Sequence, residues 1–180
     1  MIHLIDKVLN SSEADYYYNL ITNYKFNWYL SKNIGSKSAE VSDTSYGFAH
    51  TMYQSNTEGP VVLSEYYHNT LHVLYKACEQ AKLHINDVYA SRVFFQTPSQ
   101  QPGNIIHKHN DISEEHLVFI YYVNDSDGDT VFFDNEDNEI FRQTPKRNTG
   151  VIFDGSILHS AETSSQHRFI INYNFSANSL

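Results

Sequence analysis

Val151-Ile152-Phe153-Asp154-Gly155-Ser156-Ile157-Leu158-His159 reads as a β-branched and aromatic strand, a turn at Asp154-Gly155, and a second strand ending on histidine. The same short apolar pattern recurs on both sides, at Val88 to Phe95, Ile105 to His109, Leu117 to Val123, Thr130 to Phe133, Glu139 to Gln143 and Phe169 to Phe175. Turn chemistry separates the runs at Pro102-Gly103, Asp127-Gly128, Asn135 to Asn138 and Asn148 to Gly150. Short strands at roughly ten-residue spacing predict an antiparallel sandwich or jelly roll.

The first half carries a different period. Ile2 to Leu9 reads as a strand, and Asn10 with Glu13 forms a capping-box pattern ahead of Tyr17, Leu20, Ile21 and Tyr24 at helical spacing. Lys25 to Leu30 looks extended, and residues 31 to 45 read as a loop. A second helix is expected to begin near Pro60, with Leu63, Tyr67, Leu71, Leu74, Cys78 and Ala81 as its apolar stripe and Cys78 as a core residue. The expected architecture is mainly β (α+β by order). One domain spans 1–180, with helical support over 1–87 and a jelly-roll core over 88–176.

The 180 residues suit one domain, and 41% hydrophobic content is too apolar for a disordered chain. A formal charge of −9 argues against a nucleic-acid partner. No apolar run approaches a membrane span, and the N-terminus lacks a signal-peptide pattern, so a cytoplasmic location is expected. One Cys cannot build a disulfide framework or a thiolate zinc site. Ten histidines are the chemical signal that remains.

His109 and Asp111, two apart at a strand end, are expected to point together. With His159 they make two imidazoles and one carboxylate, the facial set of non-heme Fe(II) oxygenases, which leaves three coordination positions open. Arg168, nine residues after His159, offers a fork for a carboxylate. Fe²⁺, Asp111, a dianionic cosubstrate and Arg168 together are neutral, as a buried cluster should be.

The chain resembles the Fe(II)/2-oxoglutarate-dependent oxygenase superfamily, nearest in pattern to its prolyl 4-hydroxylase-like branch. The resemblance runs from about Val88 to Phe175. It rests on His109-x-Asp111, His159 and Arg168, on Ile120-Tyr121-Tyr122-Val123-Asn124, and on Asp127-Gly128-Asp129-Thr130-Val131-Phe132. Asp127 stands where the family has a first glycine. The resemblance implies a double-stranded β-helix. It also implies Fe(II) held by His109, Asp111 and His159, 2-oxoglutarate received by Arg168, Tyr122 and Thr130, O₂ as oxidant, and ascorbate as an admissible accessory. The implied reaction is hydroxylation with release of succinate and CO₂. The substrate would be a peptidyl residue, prolyl foremost, or a small molecule. Halogenating relatives lack the carboxylate ligand that Asp111 supplies here.

A second reading stays open. His107, His109, Glu114 and His159 also resemble a cupin-type metal site without 2-oxoglutarate chemistry, which would leave Tyr122, Thr130 and Arg168 without roles. Arg168 has a bland alternative, a surface pair with Glu162. Arg92 could meet substrate, a cosubstrate carboxylate or a structural salt bridge. Gln96 and Asn104 flank the loop that could meet the 1-carboxylate, and Asn172 and Asn174 are expected to face the barrel. His116 and His167 are expected to face solvent, and His3, His50, His68, His72 and His84 to lie on the surface or a helix face. The 31 to 60 region (with Tyr46, Phe48 and Tyr53) and the 96 to 104 loop are the expected lids.

Overall fold

The computed structural model describes residues 1–31, 47–56 and 58–180. In chain order the elements are β1 (Ile2–Ile5), α1 (Ser11–Ile21), β2 (Tyr29–Ser31), β3 (Gly47–Asn56), β4 (Gly59–Val62), α2 (Tyr66–Ala81) and β5 (Leu83–Gln96). They continue with β6 (Leu117–Tyr122), β7 (Thr130–Phe133), β8 (Glu139–Gln143), β9 (Thr149–Asp154), β10 (Leu158–Ala161) and β11 (Arg168–Ser179). The large sheet runs β1-β9-β6-β11-β5-β3-β2, with β4 on β3, and the small sheet runs β10-β7-β8. Every pairing is antiparallel. The fold is mostly β, the jelly roll expected from the sequence.

Alternation along the central strands makes this a layered molecule. Phe119, Tyr121, Ile152, Ile171, Tyr173 and Phe175 turn to one face of the large sheet and pack with Tyr17, Ile21, Val73, Leu74 and Cys78 of the helices. Val118, Ile120, Tyr122, Val151, Phe153 and Ile170 turn to the other face and pack with Phe132 of the small sheet. Both faces of β6 and β9 are covered, which is why they read as unbroken apolar runs. The capping box forms: the Asn10 side chain accepts from the Glu13 N–H at 3.0 Å, and Glu13 accepts from the Asn10 N–H at 3.0 Å.

Several expectations are corrected. The first strand ends at Ile5 rather than Leu9. The second helix starts at Tyr66, and Pro60 lies in β4, a strand paired on one side only, where a missing N–H costs no ladder bond. Residues 47–56 and 59–60, expected within the 31 to 60 lid, belong to strands of the large sheet. Residues 32–46 and 57 of that lid, Tyr46 among them, lie outside the described residues, as does nearly all of the 31 to 45 loop. The boundary drawn between 87 and 88 falls inside β5, and β1 to β4 of the supporting half join the large sheet. Residues 105–109 form no strand; they run beside β10 and its exit through single bridges, Ile105 to Glu162 and His109 to His159. The 96 to 104 loop is tied down: the Ser99 N–H donates to the Ser164 carbonyl at 2.7 Å and the Gly103 N–H to the Thr163 carbonyl at 2.8 Å. No helix among the described residues is long and apolar enough to cross a membrane.

Candidate active site

Between the two sheets opens a cavity of about 590 Å³, within the usual range of small-molecule sites. Strand alternation selects its large-sheet wall. Along β11 the residues facing helix are Ile171 and Tyr173, so Arg168, Ile170 and Asn172 face the cavity. The small sheet supplies Thr130 from β7 and His159 from β10. His109 is fixed opposite His159 by paired backbone bonds of 3.0 and 3.1 Å, although its segment is not a strand.

At one end of the cavity His109, Asp111 and His159 bring their donor atoms within 4.8 Å of one another. The Nε2 atoms of His109 and His159 lie 3.5 and 3.9 Å from Asp111 Oδ1. Each imidazole uses Nδ1–H against its own backbone neighbourhood, donating to the His107 carbonyl at 3.0 Å and to the Ile157 carbonyl at 3.3 Å. In the neutral imidazoles that sets the tautomer, and both Nε2 atoms are turned toward the carboxylate. Asp111 Oδ2 accepts from the Asn172 amide at 3.1 Å, and Asn174 Nδ2 donates to Asn172 Oδ1 at 2.9 Å. Two neutral imidazole nitrogens and a buried carboxylate oxygen, each oriented from behind, fit a divalent ion such as iron.

The electrostatics keep His159 neutral and Asp111 ionised, while a metal at His109 would displace the proton that Asp111 favours. Burial pushes the His159 pKa down to about 4 against the pull of Asp111. Burial also opposes a charge on His109, but the Asp111 hydrogen bond and charge outweigh it and raise that pKa above the ordinary value. Burial would raise the Asp111 pKa; the His109 hydrogen bond, the two imidazoles and Asn172 overcome it and hold the carboxyl well below the usual range.

At the other end Arg168 is 5% exposed. It donates to Thr130 Oγ1 at 2.7 Å and to Gln96 Oε1 at 3.4 Å. Thr130 Oγ1 also accepts from the Tyr122 hydroxyl at 2.8 Å. Burial depresses the Arg168 pKa, its Nε has no partner, and among the described residues no carboxylate lies within ion-pair distance of it. A buried guanidinium with a spare donor fits a carboxylate ligand.

The surface pairing of Arg168 with Glu162 is therefore corrected: Glu162 pairs with Arg142, which also reaches Asp129 at 3.4 Å and Glu139 at 2.8 Å. The cupin set does not assemble. Glu114 is exposed and accepts from Ser113, and His107 is exposed and meets His109 through its carbonyl. Asp127, the departure from the family pattern, accepts from the backbone N–H of Ser165 at 2.9 Å and from the hydroxyls of Ser164 and Ser165. A glycine could not close that turn onto residues 164 and 165. Gln96 serves Arg168, while Asn104 is exposed and bonds the Gln101 carbonyl. His50 and His116 are buried rather than exposed. His50 bridges the Asn27 carbonyl at 2.6 Å and Ser64 Oγ at 2.7 Å. Sequence reasoning missed the Asn172 contact with Asp111; period-2 alternation from Arg168 could have found it.

A jelly roll that holds two histidines and an aspartate over an open cavity is the architecture of mononuclear non-heme iron oxygenases. A family model described as the 2OG-Fe(II) oxygenase superfamily matches residues 64–176, and the chain belongs to that superfamily, whose members use Fe(II), 2-oxoglutarate and O₂. Solved structures of similar fold include a 2OG-Fe(II) oxygenase family oxidoreductase from Burkholderia pseudomallei (TM-score 0.74, 11% identity, 97% of this chain and 84% of that one). A prolyl hydroxylase from Trichoplax adhaerens, solved with a hypoxia inducible factor peptide, aligns with TM-score 0.64 and 14% identity over 97% of this chain and 82% of its own. The non-heme alpha ketoglutarate dependent epimerase SnoN of nogalamycin biosynthesis aligns with TM-score 0.63 and 11% identity over 97% and 77%. No curated protein gives a significant match.

Proposed function

We propose that this protein is an Fe(II)- and 2-oxoglutarate-dependent dioxygenase that hydroxylates a peptidyl residue, prolyl foremost, or a small molecule. The observation that carries this reading is the pairing, in one cavity, of a metal-ligand cluster with a buried guanidinium that has no carboxylate partner among the described residues. His109, Asp111 and His159 would hold the iron, and Arg168, Thr130 and Tyr122 would receive the distal carboxylate of 2-oxoglutarate. The bound group supplies the oxidising chemistry: 2-oxoglutarate and O₂ give succinate and CO₂, one oxygen entering succinate and the other the substrate hydroxyl.

The chain's own residues orient and neutralise. Asn172 keeps Asp111 Oδ2 engaged, so Oδ1 is the oxygen left facing the histidine Nε2 atoms and open to a metal. Thr130 Oγ1 accepts from both the Tyr122 hydroxyl and the Arg168 guanidinium, so their hydrogens fix the hydroxyl in place. Phe94 and Ile170 add apolar surface to the large-sheet wall of the cavity.

The test is succinate release from 2-oxoglutarate over a panel of prolyl peptides and metabolites, with anaerobic binding followed by the visible charge-transfer band of the Fe(II)–2-oxoglutarate complex. His109→Ala and Asp111→Ala should each abolish iron-dependent succinate formation while the far-UV circular dichroism stays unchanged. Full turnover in either variant overturns the assignment.

A further inference from the structure

On the reading that the cavity binds iron and 2-oxoglutarate, one cation in it has no assignment. Arg92 lies on β5 directly opposite Asn172 of β11 and Thr51 of β3, so the three share the face that lines the cavity. Asn172 is the residue that touches Asp111, which places Arg92 at the metal end, four residues along the strand from Gln96 and the Arg168 end. Arg92 is half-buried. Among the described residues no carboxylate lies within ion-pair distance of it, and the only carboxylate lining the cavity is Asp111.

We infer that the substrate carries a carboxylate that Arg92 receives beside the metal end of the cavity. Three observations carry this. First, the proposed cluster of iron, Asp111, 2-oxoglutarate and Arg168 is already neutral, so among the described lining residues Arg92 leaves one positive charge in excess, which a monoanion cancels and a phosphate dianion overshoots. Second, a single planar guanidinium presents two parallel N–H donors that match a carboxylate. Third, the neighbouring wall is built from Ala49 and Thr51, small side chains that leave room in front of Arg92 for a group entering from the open side. The carboxylate could belong to a free amino or organic acid, to a peptide C-terminus or to an acidic side chain. The shared chemistry is the carboxylate held close to the carbon that reacts.

The experiment uses the full chain with Fe(II) and 2-oxoglutarate under anaerobic conditions. The probes are the L-amino acids with their amides, prolyl peptides with free or amidated C-termini, and the same peptides with Glu or Gln beside the proline. Binding is read from perturbation of the visible band, and turnover from probe-stimulated succinate once O₂ is admitted. The expected result is one carboxylate probe that binds roughly tenfold or more tightly than its neutral partner. Arg92→Gln should erase that preference, Arg92→Lys should keep part of it, and the band formed by 2-oxoglutarate alone should persist in both. The pair that discriminates identifies the source of the carboxylate. Equal binding of acids and amides by the unaltered protein, or discrimination that survives in Arg92→Gln, overturns the inference while the oxygenase reading stands. Loss of the 2-oxoglutarate band in Arg92→Gln overturns it too, by assigning Arg92 to the cosubstrate. Absence of that band in the unaltered protein sinks the oxygenase reading and this inference together.

Discussion

Asp111 is held from behind by an amide, Asn172, and that amide by a second, Asn174. An amide brings no formal charge and hydrogen-bonds the ionised carboxylate, so Asp111 stays anionic with Oδ1 turned toward the histidines. Asn172→Leu should therefore weaken Fe(II) affinity by about 10- to 100-fold, measured by metal titration of the refolded apoprotein, with the circular dichroism spectrum unchanged. Arg168→Gln should leave metal affinity intact and raise the KM for 2-oxoglutarate by roughly tenfold or more, because it removes a charged hydrogen-bond donor from a buried site. The identities of these residues were legible as a motif, although the strand expected to turn His109 and Asp111 the same way did not form; single bridges to β10 hold His109 instead. The Asn172 contact was legible only in part: alternation from Arg168 turns Asn172 to the cavity, but its partner Asp111 lies 61 positions away on a segment that is not a strand.

The turn between β9 and β10 decides where His159 stands. A Cβ on Gly155 would collide with the His116 ring, which is buried and donates from Nδ1 to the Glu114 carbonyl at 2.6 Å. Asn110 Nδ2 donates to the Gly155 carbonyl at 2.8 Å, so the same turn also supports the segment between His109 and Asp111. Gly155→Ala should cost about 1–3 kcal/mol of stability by overpacking, read as a lower urea midpoint, and should weaken metal binding as well. A comparable clamp joins the start of α1 to β9. Asn148, at φ 63°, accepts the Leu9 N–H at 3.0 Å and donates to the Leu9 carbonyl at 2.8 Å. Asn148→Ala should lower stability by about 1–3 kcal/mol in the same measurement, since it orphans two part-buried backbone groups at once. At this scale the sequence was read well where one period ran cleanly, as at Thr130–Phe133 and through the capping box at Asn10. It was misread at β3, where Ala49 and Thr51 face the cavity while His50 and Met52 are buried. Small residues on the cavity face weaken the alternation that marks a strand.

Across the whole molecule, tyrosines form much of the seam between helices and large sheet. Tyr17 donates to the Asn69 carbonyl at 2.8 Å and Tyr173 to the Thr70 carbonyl at 2.7 Å. Burial pushes Tyr17, Tyr67 and Tyr122 from 10.0 up to about 12, raises Tyr173 well above its ordinary value, and raises the Cys78 thiol to about 12. These folded-state values lie above the unfolded ones, so the stabilisation is complete below about pH 9 to 10 and is lost as the pH rises toward 12. The urea midpoint should accordingly fall between pH 9 and 11, with tyrosinate absorbance appearing together with unfolding; a flat midpoint across that range would contradict the burial of these phenols. By itself the sequence determined the class: periodicity marked two helices and a run of short strands, and the motif residues His109, Asp111, His159 and Arg168 pointed to a 2-oxoglutarate oxygenase, because such patterns are written along the chain. Only the tertiary structure decided which charges are compensated. It paired Glu162 with Arg142 rather than Arg168, left Glu114 and His107 outside the metal cluster, and set Arg92 in the cavity wall. Compensation depends on which side chains from distant strands share one face, and sheet register, not spacing along the chain, sets that.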